Sequence, residues 1–174
     1  MPIERQGLIK LGGKDATVIG DDIKVGDKAP DFTVQKQDWS VVKGLKETKR
    51  KVRIIAAVPS LDTAVCDRET RRFNEEASKL GKNIVILVIS TDLPWTQKRW
   101  CGAAGVEQVT TLSDSLKTDF GKKYGCLIKE GRALRRAVFV VDRKRVVRYV
   151  AYMPALGEEP NYEEVISAAQ AALK

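Results

Sequence analysis

Histidine is absent from this 174-residue chain, cysteine occurs only three times, and aromatic residues make up 6%. The missing histidine removes the commonest general base and the commonest metal ligand together. Cys66, Cys101 and Cys126 are odd in number and far apart, with no Cys-x-x-Cys pair among them. They do not suit a fully paired disulfide framework of the secreted kind, and they offer no zinc-ligand spacing. A reducing cytoplasm fits them, with any disulfide being transient. The sequence has no run of about 18 apolar residues, and its opening MPIERQGLIKL has no basic segment followed by an apolar stretch of signal-peptide length. The expectation is a soluble, unexported, cytoplasmic protein with no metal, no cofactor and no membrane partner. Its chemistry is left to thiols, carboxylates, hydroxyls and arginines.

What is present is enough apolar residue, 43%, for a full core. The length suits a single domain over residues 1–174. The net charge of +8 is spread over Lys49-Arg50-Lys51-Arg53, Arg68-Arg71-Arg72, Arg132-Arg135-Arg136 and Arg143-Lys144-Arg145. A basic surface can bind nucleic acid through phosphate contacts. Here no stacking aromatics or nucleic-acid motif accompany the scattered charges, so they read as solvated faces and no nucleic-acid partner is expected.

Two apolar runs around Gly12-Gly13, from Leu8 to Ile19, predict a hairpin within an N-terminal extension of residues 1–24. Phe32 to Val34 reads as a short strand, followed by a polar connection. Val52 to Val58 and Ile84 to Ile89 are nearly all apolar, as strands buried on both faces should be. Between them, Ala64 to Leu80 has helical spacing, with Val65, Phe73, Ala77 and Leu80 on one side and Gly81 as the stop. Pro94 to Ala104 reads as a second helix, with Gly102 and Gly105 as stop signals and Trp95 and Trp100 as core residues. Val109 to Leu112 is a candidate strand, and Leu116 to Tyr124 a helix or turn. A hairpin of Ala137–Val141 and Val146–Ala151 precedes a final helix, Tyr162 to Lys174, capped by Asn161. Strands alternating with helices, then a hairpin and a helix, imply an α/β fold with a mixed sheet.

Cys66 stands out by position. The segment Pro59-Ser-Leu-Asp-Thr-Ala-Val-Cys66 joins a buried strand to an amphipathic helix. With Thr63 as N-cap, Cys66 becomes the third helical residue, where free N–H groups and the positive end of the helix dipole favour an anion. The Thr63 hydroxyl is within reach to donate to a thiolate or a bound oxygen. Pro59 stiffens the turn and could shield the sulfur from water. An isolated cysteine would more often be a small buried residue.

PSLDTAVC contains Pro-x-x-x-Thr-x-x-Cys and resembles the active-site loop of peroxiredoxins. PSLDTAVCDRETRRFNEEA, ISTDLPWTQKRWCGAAG, VGDKAPDFTV and RRAVFVVD extend the likeness over nearly the whole chain, to the bacterial thiol peroxidases called atypical two-cysteine peroxiredoxins. The resemblance implies a thioredoxin-like fold, a central mixed sheet flanked by helices, with an N-terminal hairpin. It implies that Cys66 attacks hydroperoxides and becomes a sulfenic acid, that Cys101 resolves it as an intrachain disulfide, and that thioredoxin or a similar dithiol reduces the bridge. It also implies an arginine facing the thiolate, matched by Arg136, with Arg135 as the neighbour that strand alternation sends to the other face. Thr63 and Pro59 complete the implied site, and a homodimer is the implied assembly. Ala64 departs from the pattern, since relatives commonly carry Pro or Gly there. Cys126 matches no family role and reads as structural.

Three rival readings remain. Cys66-Asp-Arg-Glu-Thr-Arg-Arg72 has the Cys-x5-Arg spacing of cysteine-dependent phosphatases, but its helical pattern and lack of Gly oppose a phosphate-wrapping loop. A basic non-catalytic nucleic-acid-binding protein is the second. General disulfide exchange, the third, lacks its Cys-x-x-Cys pair.

Overall fold

The computed structural model describes residues 1–174. The predicted first hairpin is present as β1 (Glu4–Leu11) and β2 (Lys14–Ile19). It is not a free arm, because β2 pairs with β8 (Leu127–Ile128), which pairs in turn with β9 (Ala133–Leu134), making a small four-stranded sheet. Two glycines permit the junction. A Cβ on Gly20 (φ +96) would lie 2.1 Å from the Lys122 carbonyl oxygen, and one on Gly125 (φ +65) would lie 2.4 Å from the Asp21 carbonyl oxygen.

The main sheet has seven strands. In chain order they are β3 (Thr33–Gln35), β4 (Val41–Lys43), β5 (Val52–Ala57), β6 (Ile84–Ser90), β7 (Thr110–Ser113), β10 (Ala137–Val141) and β11 (Val147–Tyr152). Their spatial order is β11-β10-β5-β6-β7-β3-β4. The β5–β6 and β6–β7 pairs are parallel and the rest antiparallel, giving the expected mixed sheet. Every residue of β5 is buried. Alternation divides it between two cores: Val52, Ile54 and Ala56 pack with Cys66, Phe73, Val165 and Ala169, whereas Ile55 and Ala57 pack with Phe32, Phe120, Tyr124 and Phe139. Burial on both faces explains why the strand reads as a continuous apolar run.

The helices are α1 (Gly44–Glu47), α2 (Ala64–Leu80), α3 (Pro94–Ala104), α4 (Asp119–Lys123) and α5 (Tyr162–Ala171). The bounds of α2 and α3 are those the sequence predicts, and Asn161 caps α5 by accepting from the Glu164 N–H at 3.2 Å. None of the helices is long and apolar enough to cross a membrane.

Several expectations need correction. The polar connection after Val34 holds β4 and α1, elements of three and four residues that are too short for periodicity to show. Gly102 does not stop α3; the helix runs to Ala104, and Gly105, at φ 68°, supplies the left-handed cap. On α2, Phe73 is buried and Ala77 and Leu80 pack half-buried against the core as expected, but Val65 is only half-buried, and Cys66, Glu69 and Thr70 complete the buried face. Trp95 is not a core residue: it is 67% exposed and packs edge-on to Trp39, while Trp100 is half-buried. The last helix ends at Ala171 rather than Lys174.

Candidate active site

The Cys66 turn is built from the backbone outward. After β5 the chain bends at the half-buried Pro59, and the Thr63 N–H returns to the Ser60 carbonyl at 3.1 Å. Thr63 is extended (φ −87°, ψ 146°) and its Oγ1 accepts the Cys66 N–H at 3.2 Å. Thr63 is therefore the N-cap and Cys66 the third helical residue, as the spacing predicts. The hydroxyl proton, however, goes to the Ser60 carbonyl at 3.1 Å rather than to the sulfur. A hydroxyl has one proton, and here the turn uses it. A shallow depression of about 420 Å³ lies over this turn, lined by Leu61, Thr63, Asp67, Arg68 and Trp100 among others.

Arg136 reaches the sulfur from across the sheet. Its Nη2 donates to Cys66 Sγ at 3.2 Å, its Nε and Nη2 donate to the Leu156 carbonyl at 3.0 and 2.8 Å, and its Nη1 donates to Glu69 Oε2. Cys66, Glu69 and Arg136 are all essentially inaccessible, at 0%, 0% and 1%. Burial disfavours the guanidinium charge, but Glu69 and the Cys66 sulfur more than offset that and hold the group above its ordinary value. Arg135 points to the other face, where it pairs with Asp22 at 3.2 Å and lies 4.2 Å over the Tyr152 ring. Period-two alternation separates these neighbours. The other arginines of α2 are occupied elsewhere, Arg68 with Glu159, Arg71 with Asp67 and Arg72 with Glu76.

Glu69 is the site residue that sequence reasoning missed. Its position three residues after Cys66, on the same helical face, was the available signal, but a glutamate in a charged helix reads as solvated. Its Oε1 has no hydrogen-bond partner. Burial, only partly offset by Arg136, pushes the carboxyl up from 4.5 to about 7. The folded state thus binds more protons than the unfolded state in that window, so this group's contribution to stability is full below about pH 4.5 and is lost as pH rises through 7. Asp114, buried and raised to about 6, acts with the same sign over a narrower range. Glu69→Gln is expected to flatten the fall in unfolding free energy between pH 4.5 and 7 by on the order of 1–3 kcal/mol. Urea titrations of both proteins across that range measure it, and identical slopes would exclude the assignment.

Cys101 lies elsewhere. It is 7% exposed near the end of α3, and its Sγ is 3.7 Å from Thr111 Oγ1 of β7. Burial pushes its thiol up, against a smaller opposing effect of Thr111. An open cavity of about 640 Å³ adjoins it, lined by Lys36, Asp38, Lys98, Glu107 and Thr111 among others. The strand beside Cys101, β7, and the one that Arg136 leads into, β10, are separated by β5 and β6. Cys66 keeps Arg136 beside it and Cys101 keeps Thr111, so the two thiols sit in different surroundings and are not paired. All three cysteines are free. Cys126 is wholly buried in the core on the opposite face of the sheet from Cys66, donates to the Tyr124 carbonyl at 3.4 Å, and is pushed far up by burial.

The sequence pattern of the family described as Redoxin matches residues 24–166, which include Cys66, Cys101 and Arg136. The chain belongs to the redoxin family. This redoxin is 51% identical to a protein named thiol peroxidase from Halalkalibacterium halodurans, over 95% of this chain and 98% of that one. It is 49% identical to another of that name from Bacillus subtilis, again over 95% and 98% of the two chains. Among solved structures, a peroxiredoxin-like protein from Aquifex aeolicus superposes with a TM-score of 0.85 at 39% identity, covering 96% of this chain and 98% of its own. The redoxin is therefore a thiol-dependent peroxidase, an oxidoreductase of the peroxiredoxin type with the thioredoxin-like fold. The phosphatase spacing has no phosphate loop behind it, because residues 67–72 are helical and Arg72 pairs with Glu76.

Proposed function

We infer that Cys66 is the peroxide-reacting thiol and Cys101 its resolving partner. The observation that carries this is the Cys66 sulfur at the capped start of α2 with the Arg136 guanidinium 3.2 Å away. The thiolate attacks one oxygen of a hydroperoxide, the O–O bond breaks, and Cys66 keeps that oxygen as a sulfenic acid while the alkoxide or hydroxide leaves and takes up a proton. Arg136 stabilises the thiolate and the charge that develops on the leaving oxygen. Thr63 can turn its hydroxyl from Ser60 towards the bound peroxide, and Pro59 limits water at the turn. Hydrogen peroxide and organic hydroperoxides are the substrates, giving water and alcohols.

The Cys101 thiol then attacks the sulfenic sulfur. The S–O bond breaks, water leaves, and an intrachain disulfide forms. A dithiol protein, thioredoxin or one like it, reduces the bridge by exchange. The separation of the two sulfurs requires local unwinding of α2 and α3 in each turnover. The active form is proposed as a cytoplasmic homodimer of single-domain chains that engages neither nucleic acid nor membrane.

Cys101→Ser is expected to consume peroxide for a single turnover and then stop in the presence of thioredoxin, whereas the unsubstituted protein cycles. Mass spectrometry after stoichiometric peroxide should show a Cys66–Cys101 bridge within one chain in the latter and a Cys66 sulfenic acid in the former. A bridge between two chains, or normal cycling by Cys101→Ser, would remove the resolving role.

A further inference from the structure

One face of α2 is fastened to the segment that carries Cys101 at three successive points. Asp67 Oδ1 accepts the Trp100 indole N–H at 3.1 Å, Arg71 Nη1 donates to the Ala104 carbonyl at 3.3 Å, and Asn74 Oδ1 accepts the Gln108 N–H at 2.7 Å. The spacing is i, i+4, i+7 on α2, so the three side chains line one stripe. Asp67 directly follows Cys66, and Trp100 directly precedes Cys101. Arg71 closes the upper end by bonding Asp67 Oδ2 at 2.9 Å and lying 5.7 Å from the Trp100 ring centroid.

We propose that this seam is a positioning device for the resolution step: it holds the two cysteine segments in their reduced register, and its opening sets how fast Cys101 reaches the Cys66 sulfenic acid. The proposal rests on Cys66 and Cys101 being the reacting pair. The sulfurs cannot meet while both segments keep this register, because Cys101 stays against Thr111 of β7. Trp100 must leave Asp67 before its neighbour can approach the Cys66 sulfur. The seam also sets a competition, since a sulfenic acid that waits in the closed register is exposed to a second peroxide. That peroxide transfers an oxygen to the sulfur, leaving sulfinic acid and releasing water or alcohol.

Trp100→Phe removes the indole donor and keeps an apolar ring, and Asn74→Ala removes the acceptor at the far end. Reduced protein is mixed rapidly with hydrogen peroxide, quenched with acid and thiol alkylant, and sorted by mass into sulfenic, disulfide and sulfinic forms. Each variant should speed disulfide formation, the step independent of peroxide concentration, by about fivefold. The double variant should gain roughly the product, the first oxidation should be unchanged, and sulfinic acid at excess peroxide should fall. Arg72→Met is the control, removing an ion pair of the same helix that faces Glu76 and Tyr162; it should leave disulfide formation unmoved. Unchanged or slower disulfide formation in both seam variants overturns the proposal, as does equal acceleration by Arg72→Met. Absence of the Cys66–Cys101 bridge in the unsubstituted protein overturns the reading of the pair and the seam with it, whereas its presence with unmoved rates overturns the seam alone.

Discussion

Cys66→Ser is expected to reduce hydroperoxides no faster than the uncatalysed background, a loss on the order of 10⁴-fold or more. The substitution swaps one atom, but a serine hydroxyl at neutral pH is neither ionised nor polarisable enough to attack an O–O bond. The site supplies no general base to help it, since the chain has no histidine and Glu69 is engaged with Arg136. The scaffold should survive, because the Thr63 cap bonds the backbone N–H of residue 66 and not its side chain. Peroxide consumption with excess dithiol, alongside thermal unfolding, checks both halves. Turnover by a folded Cys66→Ser protein would transfer the chemistry to Cys101 or Cys126.

Arg136→Met is expected to fail in two separable ways. Losing the donor that faces the sulfur and the developing leaving-group charge should lower kcat/KM by about 10²–10³-fold. Losing the partner of a buried carboxylate should also lower stability by about 3 kcal/mol, the low end for a broken buried pair because Glu69 can take up a proton. The double variant Arg136→Met, Glu69→Gln separates the effects: much of the stability should return while activity stays low. Stopped-flow oxidation and urea unfolding measure the two quantities. Recovery of activity along with stability would mean that Arg136 matters only as Glu69's counter-ion.

The residues around Cys66 were legible to different degrees. Thr63 and Cys66 are three positions apart on one turn, so local spacing identified the N-cap, and α2 begins where that spacing places it. Arg136 was picked out by the resemblance of RRAVFVVD to the family, while alternation said only that it and Arg135 face opposite ways; the folded sheet brings it across 70 residues to the sulfur. Glu69 was not legible. A glutamate between charged neighbours looks exposed, and its burial depends on Arg136 arriving from the start of β10 to share the space. Trp95 failed in the opposite direction, because aromatic character suggests a core while α3 leaves this side chain largely exposed, edge-on to Trp39.

By itself the sequence determined the features that near neighbours dictate: the buried strands β5 and β6, the bounds of α2 and α3, the capped cysteine, and the exclusion of histidine-based chemistry. Tertiary structure alone decided the features that require distant segments to meet. It buried a carboxylate beside Arg136, set Cys101 against Thr111 of β7 while Cys66 faces Arg136, and aligned Asp67, Arg71 and Asn74 against residues 100–108. The physical reason is range. Helix caps and strand runs answer to residues within a turn or a pleat, whereas the ionisation and reach of a side chain answer to whatever the sheet order places beside it.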